Sequence, residues 1–383
     1  MLNIGNTTVW KMCICMALVL VIASCSKSTG SQDTLSANKT DTTGKTDSVD
    51  AETGVKRNTG PITIAMVGDI MMGTTFPKNG NFLTADDGAS LFKDASEILR
   101  RADIAAGNLE GAMFDGDGIP KPCHNPQRYF AFKMPERYSK HLIDAGFDFV
   151  GIANNHIHDF GPEALEGTQK ALDAAGLAYA GVSDKKPVAI MEKDGRKIGF
   201  AAFGFDDGMP NLNNFDEIKR LVSGLKKECE FVIVSFHGGG EGVNFQHVPH
   251  KKEITSKDRG DVEKFAHAAI EAGADAVYGH SPHVPRAAEL YKERIIFYSL
   301  GNFCTPYKFN LSDVCGLAPL AEVTLNPDGS FSKGKIHSFV QSKGVGPRID
   351  NSNRAAKKMR ELTKADFPST SLEISETGIM SRK

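Results

Sequence analysis

Polar side chains of the kinds that bind metal ions follow several apolar runs in this chain, each at the point where a buried strand would end. They are Asp69, Glu110, Asn155 with His156, His237 and His280, and His283 lies one turn beyond the last of these. Ligands of open α/β sheets bind outside the carboxyl ends of the strands, so these side chains can converge on one crevice. A mixed set of oxygen and nitrogen donors suits Mn, Zn or Fe better than Mg or Ca, which prefer oxygen alone. The sequence therefore predicts a site for a divalent transition metal.

Each of these residues also has an ordinary explanation when it is considered alone. A single histidine at the end of a strand is usually a polar residue with a hydrogen-bond partner, and a Gly-Asp pair is usually a turn. The recurrence of metal-binding residue types at five separate strand ends favours a shared site over five unrelated turns.

A shared site needs a sheet whose strands end at one edge, and the chain from Pro61 onward has the pattern of such a sheet. Continuous apolar runs at residues 61–69 and 231–237 indicate strands that are covered on both faces. Helical patterns separate these runs, for example over residues 88–101 and over a segment that begins at Pro162. Residues 317–340 show alternating strands without helices. We therefore predict an α/β fold with mixed rather than purely parallel sheets.

The first residues have the pattern of an export signal. Lys11 precedes the apolar run 12–22, which is too short to span a bilayer comfortably but has the length of a signal-peptide core. Residues 22–25, Ile-Ala-Ser-Cys, resemble the lipobox of bacterial lipoproteins, in which cleavage precedes the cysteine and the thiol is acylated. An ordinary secretory signal and an uncleaved anchor are the alternatives. We predict a lipoprotein signal peptide over 1–24 and lipidation of Cys25.

The composition after this signal divides the chain further. Residues 26–60 are rich in Ser, Thr, Asp and Lys and cannot bury enough apolar surface to order the chain, which predicts a disordered tether. With the lipidated cysteine the tether spans 25–60, the main domain spans 61–345, and a C-terminal helix and tail span 346–383. The formal net charge of −2 excludes a globally basic nucleic-acid binder. Cysteine spacing matches no zinc or disulfide framework; Cys304 and Cys315 could pair or remain buried thiols.

The motifs at the strand ends occur in an order that resembles a known family. The motifs are MVGDIMMG, NLEG, GIANNHIHDFG, VSFHGGGE, GHSPHV and IFYSLGNF. Over roughly residues 62–305 this set resembles the bacterial CapA family, the poly-γ-glutamate capsule synthesis proteins. That family is similar to the calcineurin-like metallophosphatases. The resemblance implies a metallophosphatase-like four-layer α-β-β-α sandwich with mixed sheets that binds one or two metal ions.

The resemblance also implies a role for each matching residue. The implied metal ligands are Asp69, Glu110, Asn155, His237, His280 and His283. His156 is implied to donate a proton to a leaving group, and Asp159 is placed to orient its imidazole. The chain departs from the metallophosphatase pattern at three points. Met71 stands where those enzymes have a histidine, Glu110 replaces an aspartate, and the last histidine pair is one residue longer.

The function implied by the resemblance concerns an acidic polymer such as poly-γ-glutamate, or its phosphorylated precursor. We predict a metal-dependent hydrolase that is exported and lipid-anchored to a bacterial membrane in the cell envelope. Two alternatives remain: a non-catalytic accessory protein that binds nascent polymer or a membrane-bound synthase, and a generic exported phosphoesterase. Basic residues in two loops are candidates for polymer binding, although a solvated loop face explains them slightly better. They are Lys251, Lys252 and Arg259 in one loop and Arg128 in the other.

Overall fold

The computed structural model describes residues 47–49, 56–80, 82–122 and 129–383. Cys25 and Arg128 therefore lie outside the described residues, as does the predicted signal peptide. Within the predicted tether, two short strands pair antiparallel, β1 (Asp47–Val49) with β2 (Lys56–Asn58). Among the helices of the described ranges, none combines the length and the apolar character needed to cross a bilayer.

The remaining strands and the helices alternate along most of the domain. The strands are β3 (Ile62–Ile70), β4 (Ile104–Leu109), β5 (Ala112–Met113), β6 (Lys133–Met134), β7 (Phe149–Gly151), β8 (Ala178–Ala180), β9 (Val188–Lys193), β10 (Arg196–Phe203), β11 (Phe231–His237), β12 (Ala276–His280), β13 (Ala288–Tyr291), β14 (Arg294–Phe297), β15 (Asn302–Cys304), β16 (Leu317–Leu325), β17 (Phe331–Ser342), β18 (Val345–Ile349), β19 (Leu372–Ile374) and β20 (Ile379–Arg382). The helices are α1 (Ser96–Arg101), α2 (Ser139–Ala145), α3 (Gly161–Ala175), α4 (Phe215–Glu228), α5 (Val262–Glu271) and α6 (Arg354–Asp366).

Two mixed sheets form the centre of the domain. The larger sheet has the order β19-β20-β17-β16-β3-β4-β7-β8, and β15 and β18 join it beside β3 and β17. Its half from β3 to β8 is parallel, whereas β16 and β17 are antiparallel to their neighbours. The smaller sheet has the order β13-β14-β12-β11-β10-β9, with a parallel centre and antiparallel strands at both edges.

The two sheets pack face to face, and helices cover their outer faces. Phe149 of β7 stacks on Phe200 of β10 with ring centroids 4.3 Å apart. The Tyr278 hydroxyl of β12 donates to the Gly107 carbonyl of β4 across the same interface. Helices α1 and α3 pack on the larger sheet, α2 packs between these two helices, and α4 and α5 pack on the smaller sheet. The predicted four-layer α-β-β-α sandwich with mixed sheets is therefore confirmed.

Local signals in the sequence explain most helix boundaries but not all of them. Helix α3 has Pro162 in its first turn and ends where Gly176 adopts a φ of +71°. The helix predicted over residues 88–101 is wrong in its first half, because within this range only α1, Ser96–Arg101, is helical. Asp87 and Gly88 have φ values of +52° and +90°, and residues 88–95 form successive turns instead.

The chain after residue 345 packs on the same domain. Helix α6 lies against β16 and β17 of the larger sheet and β13 of the smaller one, and it buries Ala355, Met359 and Leu362. Strand β20 then pairs antiparallel with β17, and β19 pairs with β20 at the sheet edge. The segment predicted as a helix and tail thus contains a helix followed by two sheet strands.

Candidate metal centre

The carboxyl ends of the two sheets meet at one place, and the predicted ligands lie there. In the larger sheet, the register places Asp69 of β3 beside Asn108 of β4. In the smaller sheet, it places His237 of β11 directly opposite His280 of β12. Ligand atoms of Asp69, Glu110 and His237 all lie within 4.8 Å of one another, and the three side chains are buried. Three of the predicted ligands therefore lie together, and His280 lies on the strand next to His237.

Glycines immediately before two of these residues allow the close approach of neighbouring backbone. A Cβ atom on Gly68 would lie 1.9 Å from the Gly301 carbonyl oxygen, which accepts the hydrogen bond of the Asp69 amide. A Cβ atom on Gly279, just before His280, would lie 2.3 Å from the Phe236 ring. Both contacts are shorter than real Cβ atoms allow, so a larger residue at position 68 or 279 would force the neighbouring backbone or the Phe236 ring to move. Such a movement would disturb the ligand that follows the glycine.

Several ligand atoms at this centre are buried and unpaired within the described part of the chain. They are Glu110 Oε1, Asn155 Oδ1, both ring nitrogens of His237, and His280 Nδ1. A buried polar atom without a partner costs about 1–3 kcal/mol, so native proteins rarely collect several in one place. A cation bound at this centre would coordinate one of these atoms from each residue, because only one nitrogen of an imidazole ring can face a given ion. The donor set, two oxygens and two imidazoles beside Asp69, fits a divalent transition metal.

Neighbouring side chains hold the ligands in orientation. The Asn108 amide donates to Asp69 Oδ1 at 2.8 Å and to Glu110 Oε2 at 2.6 Å. Ser235 Oγ lies 2.7 Å from His280 Nε2, which leaves His280 Nδ1 for a metal. Such outer partners fix the tautomer and the direction of a ligand.

The charge states of His237 and His280 also favour metal binding. Burial lowers the pKa of His237 well below its ordinary value, and burial lowers the pKa of His280 to about 4. Both imidazoles are therefore neutral near pH 7, which is the form that coordinates a metal. Burial, together with the Asp69 charge, raises the pKa of Glu110 well above its ordinary value. A bound cation would oppose that shift.

His283 contacts a predicted ligand in this structure. Its Nδ1 lies 2.8 Å from Asp69 Oδ2 and 3.2 Å from Asn302 Oδ1. Burial acts to lower its pKa, but the hydrogen bond and charge of Asp69 and the charge of Glu110 raise the pKa to about 9. In this structure His283 is thus an ion-pair partner of Asp69, and its role as a ligand stays a prediction. Backbone φ values of +103° at Ser281 and +56° at His283 shape the turn that carries it.

His156 and Asp159 form a buried dyad beside the ligands. His156 Nδ1 lies 2.7 Å from Asp159 Oδ2, which also accepts the Phe132 amide at 2.8 Å. The Phe132 ring packs against the imidazole with centroids 4.3 Å apart. Lys121 Nζ lies 2.6 Å from Asp159 Oδ1, close enough for an ion pair although its angle is poor for a hydrogen bond. The predicted orientation of His156 by Asp159 is therefore present in the geometry.

Two cavities open onto this centre. The larger, of about 890 Å³, is lined by His158, Asp159, Phe205, Asp206 and Lys257 among others. The smaller, of about 550 Å³, is lined by His156, His283 and a group of aromatic residues. Asn155 and Lys121 line both cavities. A molecule of substrate size can therefore reach a predicted ligand and the predicted proton donor together.

Among the basic residues predicted to bind polymer, Lys251, Lys252 and Arg259 lie in the described chain and line neither cavity. Lys251 is exposed, and Lys252 forms an exposed ion pair with Asp258 at 2.8 Å. Arg259 is buried near the centre, where it bonds to Glu241 and Ser281 at 2.5 Å each. Polymer binding by these residues stays a prediction, as does binding by Arg128.

Sequence reasoning missed the amide side chains that support the ligands. Asn108 and Glu110 are two positions apart, so in an extended chain their side chains point to the same face. This two-residue spacing could have identified Asn108 from the sequence. Asn154 donates to Asn108 Oδ1 at 3.1 Å and to the Leu109 carbonyl at 2.8 Å. Asn302 contacts His283 across 19 positions of chain, a pairing that no local pattern indicates.

Met71 stands at one of the three departures from the metallophosphatase pattern. It is fully buried and its amide donates to the Cys304 carbonyl, so its backbone continues the sheet beyond Asp69.

Cys304 and Cys315 are buried free thiols, as is Cys229. The disulfide considered for Cys304 and Cys315 is therefore absent from the structure.

Comparison with known proteins gives one family and several relatives. Residues 63–307 match the family model described as Bacterial capsule synthesis protein PGA_cap. The capsule biosynthesis protein CapA of Bacillus anthracis is 30% identical over 262 residues, covering 63% of this chain and 59% of that protein. The PGA biosynthesis protein CapA of Bacillus subtilis strain 168 is 29% identical over 260 residues, covering 63% of each. The chain thus spans about three fifths of the length of these relatives.

A solved structure also aligns with the chain. It is the crystal structure of a 5'-nucleotidase precursor from Thermus thermophilus, with a TM-score of 0.41 and 12% identity. The alignment covers 73% of this chain and 54% of that one.

Proposed function

This chain belongs to the bacterial capsule synthesis protein family PGA_cap, and we propose that it acts there as a metal-dependent hydrolase. Its substrate would be an acidic polymer such as poly-γ-glutamate, or the phosphorylated precursor of that polymer. One observation carries the proposal: unpaired buried ligand atoms collect beside an oriented histidine, at the meeting point of two open cavities.

Three residues that would hold the metal, Asp69, Glu110 and His237, have ligand atoms within 4.8 Å of one another. Asn155 and His280 would join them, since each has a buried ligand atom without a partner in the described chain. When bound, an ion of this kind supplies positive charge and a water of lowered pKa for attack on an ester or amide. Asn108 and Ser235 keep the carboxylates and His280 in place, so the site is formed before the substrate arrives.

His156 supplies the proton that a leaving group needs. Asp159 accepts from its Nδ1 and fixes the ring, and Phe132 packs on the ring face. Among the described residues nothing bonds to His156 Nε2, and the residue lines the smaller cavity. In its imidazolium form, His156 can therefore hold a proton at Nε2 and pass it to substrate. General acid catalysis of this kind is typically worth about 10²–10⁴-fold in rate.

The location that we propose is the cell envelope, with Cys25 carrying lipid and the chain held at a bacterial membrane. The apolar run before Cys25 and the polar segment after it support this placement. A membrane-bound synthase of the polymer would then be a neighbour of the domain.

The hydrolase is tested by replacing His156 with alanine. We expect His156→Ala to keep its metal content, since Asn155 is the proposed ligand, while polymer yield falls steeply in cells whose only copy is the variant. His247→Ala is the matched control, because His247 is exposed and lines neither cavity. Wild-type polymer yield from His156→Ala would exclude the hydrolase.

One observation favours a second function, a non-catalytic accessory protein that binds nascent polymer or the synthase. Met71 occupies the position of a metallophosphatase ligand, and Asp69 is already paired with His283. In that case cells that carry His156→Ala would make a normal amount of polymer. Neutralising Lys251 and Lys252 would reduce the polymer yield. Arg259 is unsuitable for this comparison because it is buried and bonded within the domain.

A further inference from the structure

The smaller cavity has aromatic sides that run between the two histidines at its base. The Phe132 ring contacts His156 and stacks on Phe309 with centroids 5.1 Å apart. The Phe309 ring also lies nearly perpendicular to the His283 ring, with centroids 5.1 Å apart. Phe130 also lines this cavity, and its side chain is 42% exposed. A substrate here would contact apolar surface and the reacting centre together.

The loop that carries Phe309 is held rigidly and has an uncommon backbone. The Tyr307 hydroxyl donates to the Leu83 carbonyl at 3.1 Å, and the Thr305 amide donates to Gln341 Oε1 at 2.6 Å. Lys308, between these anchors and Phe309, has a φ of +68°. A non-glycine residue in that region costs about 1–3 kcal/mol, and such residues cluster at functional sites.

Lys308 differs from the other charged residues that line the cavity. Lys121 is paired with Asp159, Glu241 with Arg259, and the two histidines with Asp159 and Asp69. Lys308 has no carboxylate partner anywhere in the described ranges of the chain. Its Nζ lies 3.9 Å from the centroid of the Phe82 ring, and burial lowers its pKa. A partly desolvated cation of this kind gains most from an anion supplied by a ligand.

We propose that the smaller cavity is a subsite for a carboxylate attached to an aliphatic chain, with Lys308 as its anchoring cation. The methylene groups next to the carboxylate would pack on Phe309 and Phe132 while the neighbouring bond of the oligomer lies at the metal centre. A carboxylate fits better than a phosphate because the site offers one unpaired ammonium, whereas a phosphate carries nearly two charges. Glu241 in the same cavity would also repel the second charge. The inference rests on the proposed function, in that the substrate is an acidic oligomer.

The test measures binding by calorimetry on the purified full-length chain loaded with manganese. The probe is a γ-linked glutamate tetramer, and its fully amidated form is the neutral control. We expect Lys308→Met to weaken tetramer binding about 10- to 100-fold, as is typical when a charged hydrogen bond is lost. Lys308→Arg should retain binding within a few-fold. Lys93→Met is the matched control, because Lys93 is exposed and lines neither cavity.

Other measurements separate this inference from its alternatives. Phe309→Ala should weaken the tetramer several-fold, with an unchanged melting temperature showing that the loop stays folded. Equal binding of the amidated tetramer, displacement of the tetramer by inorganic phosphate at equal concentration, or unaltered binding to Lys308→Met would each overturn the subsite. If wild-type protein binds no tetramer while polymer yield still depends on His156, the subsite is wrong and the hydrolase stands.

Discussion

The smaller sheet carries two buried polar clusters near its carboxyl end, and they differ in whether their atoms have partners. At the metal centre, both ring nitrogens of His237 and one of His280 are unpaired among the residues that the structure describes. In the second cluster Arg286 donates two bonds to Glu253, at 2.9 and 2.8 Å. Glu253 also accepts the Gly240 amide, and Arg286 Nε donates to the Phe245 carbonyl.

The two clusters teach how to separate a structural role from a functional one in a buried polar group. Arg286 and Glu253 satisfy each other and the loop between them, so the fold itself explains their burial. His237, His280 and Glu110 each keep at least one buried atom that no described residue pairs with, and a ligand would explain the burial of those atoms. The unpaired state, rather than the mere presence of charge, identifies the site.

The largest expected effect comes from removing two ligands at once. His237→Ala combined with His280→Ala should weaken metal binding by about 10³-fold or more, since even the partner of a ligand is worth roughly 10–100-fold. Metal content per chain, measured by mass spectrometry after reconstitution with Mn, Zn and Fe, gives the answer. If the double variant holds as much metal as the wild type, the unpaired atoms of His237 and His280 do not mark a metal site, and the contrast with the paired cluster fails.

Breaking the paired cluster should affect stability and leave metal binding intact. Arg286→Met leaves Glu253 buried without its cation, which typically destabilises a protein by about 3–5 kcal/mol. Urea unfolding of the metal-free chain measures the loss. Adding Glu253→Gln to Arg286→Met should recover part of it, because the uncompensated charge is gone while an acceptor for the Gly240 amide remains. No recovery would mean that the charge is not the cause.

Asn108 offers a smaller test at the metal centre. Asn108→Ala removes the amide that orients Asp69 and Glu110, so metal affinity should fall roughly 10–100-fold without loss of the fold. Competition with a fluorescent chelator reports the affinity. Asn211→Ala is a suitable control, because Asn211 lines the larger cavity but bonds to no predicted ligand. Equal affinity of the two variants would show that the ligands need no outer support.

The smallest effect is expected at a paired cluster on the surface. Burial acts to raise the pKa of Glu322, but hydrogen bonds from His337 and Arg101 lower it to about 2 from an ordinary 4.5. Because the folded value is depressed, the stabilisation is complete above pH 4.5 and is lost as the pH falls toward 2. Glu322→Gln should therefore destabilise by roughly 1–2 kcal/mol at pH 7 and by almost nothing near pH 2. Thermal unfolding across this range measures it, and a pH-independent difference would contradict the assignment.

The sequence allowed prediction of the features that depend on residue type and local period. Asp69, His237 and His280 were found because each follows an apolar run, and parallel strands bring such positions to one edge. Helix α3 was found because proline and glycine mark its ends. The turns before α1 were missed because the helix prediction rested on the spacing of apolar residues. The left-handed backbone at Asp87 does not change that spacing.

Pairings between distant segments could not be predicted. His283 meets Asp69 across 214 positions of chain, and Arg286 meets Glu253 across 33. Whether a buried polar atom is paired depends on such contacts, so the sequence predicted which residues gather at the centre without showing which of them are free to bind. The contact of His283 with Asp69 could not be predicted for this reason.

The position of β3 in the larger sheet has a consequence for how the chain folds. β3 is the first strand of the domain to be synthesised, yet its antiparallel neighbour β16 follows much later, with Val67 paired to Leu320. The loop that closes this pair spans about 250 residues, and sheets built from such distant contacts fold slowly. Until β16 is made, one edge of an apolar strand stays open to pairing with other chains. Refolding yield should therefore fall with protein concentration, and the nascent chain should depend on a holding chaperone until its last third has emerged.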